Sequence, residues 1–182
     1  MKDLPDAELM QLSAQGSELA FSELVRRYQD ILLNFFLRSA VSFSDGQDLV
    51  QRTFLRLWRY RKKYRAGEAK FTTFLFMLAR QESIDFFRAE TRRRTQEENL
   101  ARAASELVPA TGKGVSETGE AVRRAMGRLT PALREAVELV VFQDLPYAEA
   151  GEVLGVPLGT VKSRIFNALK KLKEHLSHER RP

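Results

Sequence analysis

The stretch from Leu145 to Leu176, LPYAEAGEVLGVPLGTVKSRIFNALKKLKEHL, leaves this chain few folds to choose from. Its apolar positions step by three and four, the period of a helix, with a break in the middle. Tyr147 to Leu154 form a short helix whose inner side is Ala150, Val153 and Leu154. Gly155 stands where that helix ends, because a residue without Cβ enters the left-handed region at little cost. Pro157 suits the start of a second helix and not its interior. This second helix sets Val161, Ile165, Ala168, Leu169, Leu172 and Leu176 along one stripe. The rest of its surface offers Thr160, Lys162, Ser163, Arg164, Asn167, Lys170 and Lys171 to phosphates or base edges. Two helices, a glycine turn and a basic second helix describe a helix-turn-helix that enters a major groove. The plainer alternative is a helical hairpin with a solvated basic face, and the spacing favours DNA.

Charge agrees with a polyanionic partner, and its distribution says more than its sum. The net charge is +6 over 182 residues. From Met1 to Gln51 there are 4 basic and 8 acidic residues, a net of −4. From Arg52 to Lys70 there are 8 basic and 1 acidic, a net of +7. Thr160 to Pro182 holds 7 basic and 2 acidic residues, a net of +5. Two basic patches therefore sit on a neutral or acidic body. The second is the helix just described, and the first needs its own explanation.

Composition also excludes several classes. With 43% hydrophobic and 30% charged residues the chain is globular. No Cys is present, so disulfides, thiolate metal sites and Cys nucleophiles are ruled out. No apolar run reaches membrane-spanning length and no signal-peptide pattern opens the chain, so the cytoplasm is expected. His175 and His178 share a helix face near the C-terminus, a poor setting for a metal. There is no phosphate-binding glycine loop and no paired carboxylates beside a base. A non-enzyme without cofactor or metal is expected.

Taken from the start, a short helix near Pro5 to Gln15 is closed by Gly16, and Ser17 caps a longer one. The longer helix carries Phe21, Leu24, Val25, Tyr28, Ile31, Leu32, Phe35 and Phe36 as a core stripe. Val41 to Ser44 reads as a loop. Ser44 with Gln47 reads as a capping box, starting a third helix over about Asp45 to Tyr64. Val50, Phe54, Leu57 and Trp58 take one side of it, and arginines and lysines crowd its second half. A loop from Arg65 to Lys70 leads into a fourth helix, Phe71 to roughly Arg94, apolar around most of its first two turns. Those aromatics are either a platform for unstacked bases or the buried part of a central helix, and periodicity leaves both open. From Thr95 to about Thr118 the period fades into a flexible linker containing Pro109, Gly112 and Gly114. A helix around Glu120 to Arg128 follows, then one opened by Thr130-Pro131 and running to Gln143. The fold class is all-α: two small helical domains, 1–94 and 119–182, joined by the linker 95–118.

The segments DLVQRTFLRLW (Asp48 to Trp58), FTTFLFMLARQESIDFFR (Phe71 to Arg88) and LGVPLGTVKSRIFNALKKL (Leu154 to Leu172), in this order, resemble an extracytoplasmic-function sigma factor of bacterial RNA polymerase. The resemblance implies a division of labour. Asp48, Gln51, Arg52, Phe54 and Leu55 fall on positions that dock on core RNA polymerase. Tyr64, Lys70, Phe71, Arg80 and Gln81 fall where melted −10 strand is held and a flipped base captured. Thr160, Lys162, Ser163, Arg164, Phe166, Asn167, Lys170 and Lys171 fall on the helix that reads the −35 element as duplex. The partners it implies are core RNA polymerase, promoter DNA in both forms and an anti-sigma factor.

Three positions depart from the family pattern. Arg52 stands where an acid is usual, Gln81 where Asn is, and Asn167 where Arg is frequent. Asn pairs with adenine and Arg with guanine, so the −35 preference is expected to shift. Two rivals are a helix-turn-helix repressor or activator independent of the polymerase, and a serine recombinase. Both normally bring an α/β domain, and this chain has no strand pattern.

Overall fold

Ser17, Ser42 and Gly155 punctuate the chain at three of its helix boundaries. Ser17 accepts a hydrogen bond from the Ala20 amide at 3.3 Å, which opens the second helix. Ser42 accepts from the Asp45 amide at 3.1 Å, which opens the third. The capping pair is thus Ser42 with Asp45, not Ser44 with Gln47, and the helix starts at Phe43. A short acid at the third helical position serves as well as a longer one, because Ser42 Oγ also donates to Asp45 Oδ2 at 2.5 Å.

The computed structural model describes residues 1–39, 41–101 and 124–179, without the side chains of 96–101 and 175–179. Within them α1 is Asp6–Ala14, α2 Glu18–Arg38, α3 Phe43–Tyr60 and α4 Phe71–Ala101. After these come α5, Pro131–Val137, then α6, Tyr147–Leu154, and α7, Leu158–Glu179. Among the described residues the architecture is all-α, and its only ladder pairing is an isolated bridge between Ala66 and Ala69. α4 continues past Arg94 to Ala101, into the stretch expected as linker. Residues 124–127 are helical, and the remainder of that linker and the first four residues of the helix expected over Glu120 to Arg128 lie outside the described residues. So do the side chains of His175, Leu176 and His178.

Several boundaries differ from expectation for local reasons. α3 stops at Tyr60 and a 3₁₀ turn, Arg61–Lys63, carries the chain to Tyr64. The helix expected from Pro131 to Gln143 is α-helical only to Val137, and Glu138–Phe142 form a π-helical turn. There Gln143 N bonds to Glu138 O at 3.1 Å, five residues back, and Asp144 takes a positive φ of 52° to leave the helix.

One cluster of buried side chains runs through the molecule, from Leu9 and Met10 of α1 to Val161, Ile165 and Ala168 of α7. α2 faces it with Leu24, Tyr28, Leu32, Phe35 and Phe36, whereas Ile31, expected in that stripe, is exposed. α4 is central. It packs on α3 on one side and on α6 on another, which is why Phe71, Leu75, Phe76 and Ala79 are all buried.

Candidate nucleic-acid and polymerase interfaces

On α3, Asp48, Gln51, Arg52 and Leu55 form one exposed face, because positions i, i+3, i+4 and i+7 line up on a helix. Leu55 is 59% exposed with no local reason to be apolar. Phe54 does not join them. It is 7% exposed and meets the Phe21 ring edge-on at 6.4 Å. One residue turns a helix by about 100°, enough to carry a side chain from solvent to core. Of the five positions expected to dock, Phe54 is therefore a core residue, and only the other four present exposed side chains. Part of the basic patch that follows is structural as well. Arg56 pairs with Glu82 at 2.9 Å and reaches Asp85 at 3.5 Å. Arg61 lies over the Trp58 ring at 3.8 Å and donates to Ser13 O at 3.2 Å.

Tyr64, Lys70 and Phe71 line one cavity of about 580 Å³ together with Asp6 and Ala7 of α1 and the loop at Gly67. The aromatics are engaged within it. Tyr64 is 9% exposed, with its ring 6.3 Å from Phe71 and 5.5 Å from Phe74, and its hydroxyl donates to Ala69 O at 3.3 Å. Burial pushes that phenol's pKa up. Phe71 sits 5.2 Å from the Tyr28 ring, and the Tyr28 hydroxyl donates to Asp6. Of the two readings left open for these aromatics, the buried central helix is the observed one. Of the three, only Lys70 presents a largely solvated head, and Gly67 allows the loop its turn at φ 101°.

Arg80 and Gln81 stand apart from this cavity, roughly 14 Å further along α4. Arg80 Nε lies 3.3 Å from Glu135 of α5, beside a second cavity of about 680 Å³. Gln81 is exposed and donates to Asp85 at 3.0 Å.

The helix-turn-helix is built as its glycines demand. Gly155 caps α6 at φ 66°. Gly151, to which the sequence pattern assigns no role, is needed for a different reason. A Cβ there would meet Val156 O at 2.9 Å, so only glycine lets the turn fold back on α6. Its place one turn before Gly155 was the signal for it. On α7, Val161, Ile165 and Ala168 are buried and Leu172 half-buried, but Leu169 is 50% exposed and leaves the expected stripe. Lys162, Ser163, Phe166, Asn167, Lys170 and Lys171 are all exposed, flanked by half-buried Thr160 and Arg164. Phe166 is 70% exposed, an aromatic held out to solvent among cations.

Two residues invisible to local reading complete the arrangement. Glu149 of α6 places Oε1 2.7 Å from Lys70 Nζ and accepts from Thr73 Oγ1 at 3.0 Å. Glu149 and Thr73 meet across 76 positions of sequence, so no periodicity pairs them.

Comparison with known proteins gives these surfaces a family. The description "Sigma-70 region 2" matches residues 24–93 and "Sigma-70, region 4" residues 119–172. The ECF RNA polymerase sigma-E factor of Haemophilus influenzae is 30% identical, covering 96% of this chain and 97% of its own. The chain belongs to the extracytoplasmic-function sigma factors. As a sigma factor it directs transcription initiation by RNA polymerase at promoter DNA. Among solved structures it is similar to CnrH in complex with the cytosolic domain of CnrY, at a TM-score of 0.72 and 26% identity, covering 95% and 97% of the two chains. It shares its fold with the sigma factor RpoE in complex with the anti-sigma factor NepR from Bartonella quintana. That match has a TM-score of 0.68 and 24% identity, and covers 88% and 98% of the chains. Among the described residues no helix is long and apolar enough to cross a membrane.

Proposed function

We propose that the three surfaces divide the work of initiation. The α3 face of Asp48, Gln51, Arg52 and Leu55 docks on core RNA polymerase. The groove at Lys70 takes the melted −10 strand, with Thr72 and the Gly67 loop beside it. The α7 face reads −35 duplex, with Ser163 and Asn167 toward bases and Lys170 and Lys171 toward phosphates. Arg80 and Gln81 serve as an outlying −10 contact on α4. The division into an N-terminal region 1–94, a linker and a C-terminal region 119–182 follows from these roles.

The observation that supports this reading best is the convergence of Tyr64, Lys70 and Phe71, from both sides of a loop, on one cavity. A cavity of about 580 Å³ is ample for one base. The protein acts without catalysing a reaction of its own, in the cytoplasm, and is held in check by an anti-sigma factor of the kind seen with the B. quintana protein.

The test is run-off transcription with core polymerase on duplex and on premelted templates. Lys70→Ala should lower open-complex formation on duplex while closed-complex binding stays near normal. On a template already melted across −10 the defect should shrink but persist, because strand capture is still impaired. Normal opening by the variant would remove the groove from the −10 assignment.

A further inference from the structure

A second cavity, of about 680 Å³, lies between the end of α2, the middle of α4 and α5. Arg80 aside, none of its walls belongs to the three surfaces assigned to initiation. Its size falls among small-molecule sites, which run from roughly 300 to 1,000 Å³. Phe35, Ile84, Phe87 and Pro131 give it an apolar lining. Phe87 is 40% exposed, a ring held at this cavity rather than in the core. The α4 residues that line it run from Arg80 to Arg92, about 18 Å of helix axis, so the space is a groove along α4.

The charges around the groove do not cancel. Glu135 is matched by Arg80 at 3.3 Å, and Glu138 by Arg38 through two hydrogen bonds of 2.6 Å. Arg134 directs its guanidinium to backbone carbonyls, Met126 O at 2.9 Å and Leu129 O at 3.1 Å. Arg88 and Arg92 line the groove with no carboxylate partner among the described residues. Exposed arginines standing alone need no ligand. These two stand one turn apart on α4, where an apolar groove ends, and two forks so spaced suit a planar acid with two oxygens.

Ser83 adds an independent sign. It lines the groove at 7% exposure, and its hydroxyl has no hydrogen-bond partner in the protein. The other buried hydroxyls are all satisfied. Ser13 donates to Leu9 O and Thr53 to Leu49 O, each at 2.7 Å and four residues back, and Thr73 donates to Glu149 at 3.0 Å. Helical position alone would give Ser83 the same outlet, and it is not taken. A buried hydroxyl left unmet destabilises the fold, and an oxygen arriving in the groove removes that cost.

We propose that this groove binds a free long-chain carboxylic acid that carries an oxygen partway along its chain. The carboxylate meets Arg88 and Arg92, the chain lies on Phe87, Ile84 and Phe35, and a hydroxyl or oxo oxygen accepts from Ser83. Ser83 stands five residues before Arg88, about 7.5 Å of helix axis, so the oxygen belongs mid-chain and not beside the acid. The acid is free and not esterified, because an ester leaves both guanidiniums without an anion. The site gives the chain a chemical input separate from DNA and polymerase.

The test is displacement of cis-parinarate, a fluorescent fatty acid, from the full-length protein. A mid-chain hydroxystearate should displace it from a single site, and stearate about tenfold more weakly, the worth of one hydrogen bond to a buried group. The methyl ester of the hydroxy acid and vesicles of anionic phospholipid should not compete. Arg88→Ala with Arg92→Ala, both at exposed positions, should weaken both acids by about tenfold or more. Ser83→Ala should bring hydroxystearate down to the level of stearate and raise the urea midpoint of the ligand-free chain. The second reading shows that this variant is folded. Absence of displacement, or an ester that competes as well as the acid, overturns the site. Vesicles that outcompete the free acid overturn it in favour of a membrane lipid. A preference for hydroxystearate that survives Ser83→Ala overturns the hydroxyl contact. Should the arginine variant bind the acids normally and lose promoter affinity as holoenzyme, Arg88 and Arg92 serve DNA phosphates and the proposal falls.

Discussion

The face of α7 and the groove at Lys70 are both basic, and both are assigned to DNA, yet they are built in opposite ways. The α7 face is a single helix whose inner positions Val161, Ile165 and Ala168 are fixed by packing, so its outer positions are exposed by periodicity alone. The groove takes residues from α1, the α3–α4 connection, α4 and α6, and its cation is already engaged by Glu149. A surface made by one element is ready whenever that element folds. A surface made by four exists only in a particular tertiary arrangement.

The largest effect expected is on α3, where adjacent residues place the inside and the outside side by side. Phe54→Ala should cost about 3–5 kcal/mol of stability, the range for emptying a buried aromatic site. The change is read by denaturant titration of the single Trp, Trp58, which packs 4.9 Å from the Phe21 ring. Gln51→Ala with Leu55→Ala should leave stability within about 0.5 kcal/mol. It should instead weaken core-polymerase binding by about 2 kcal/mol, roughly 30-fold. Should Phe54→Ala fold normally and lose only polymerase binding, the inward and outward assignments on this helix are exchanged.

A smaller effect distinguishes two kinds of contact within the open face. Asn167→Ala should relax preference at one base pair, costing about 1–3 kcal/mol for the favoured base. Lys171→Ala should weaken every duplex alike and reduce the salt dependence by roughly one unit of slope. Both are measured against a −35 library at two salt concentrations. Uniform loss of affinity in Asn167→Ala would mean that α7 lies rotated in the groove, with Asn167 turned from the bases toward the backbone.

How far the sequence could be read follows the same contrast. The helix-turn-helix was legible down to the conformation of Gly155, because every signal for it lies within a few residues. The outward set on α7 was legible for the same reason, and Leu169 was misplaced only because an apolar residue at helical spacing need not be buried. On α3 the family positions included Phe54, and resemblance alone could not say which way it pointed. The choice between core and stacking platform at Phe71 required knowing that α6 packs on α4. Glu149 with Lys70, and Glu138 with Arg38 across 100 positions, are products of tertiary structure with no local trace.

The smallest effect concerns the wall of the groove. Arg27 of α2 donates to Asp6 at 2.7 Å and to the Leu4 carbonyl at 2.9 Å, which ties α1 to α2 and so sets Asp6 and Ala7 against the cavity. Glu23 holds Arg27 in place at 3.0 Å and Arg26 at 2.7 Å, and these two guanidiniums lower its pKa to about 2. A carboxyl depressed on folding contributes stability in full above its ordinary value of 4.5, and that contribution fades as pH falls from there toward 2. Glu23→Gln should therefore lower the Trp58-monitored urea midpoint at pH 7, and the difference from the parent should narrow by about pH 3. The stretch from Leu158 to Lys173 contains no acidic residue, so this acid-side loosening has no counterpart on the exposed part of α7. A midpoint difference that stays undiminished at pH 3 would show that the ionised form of Glu23 is not what braces the groove.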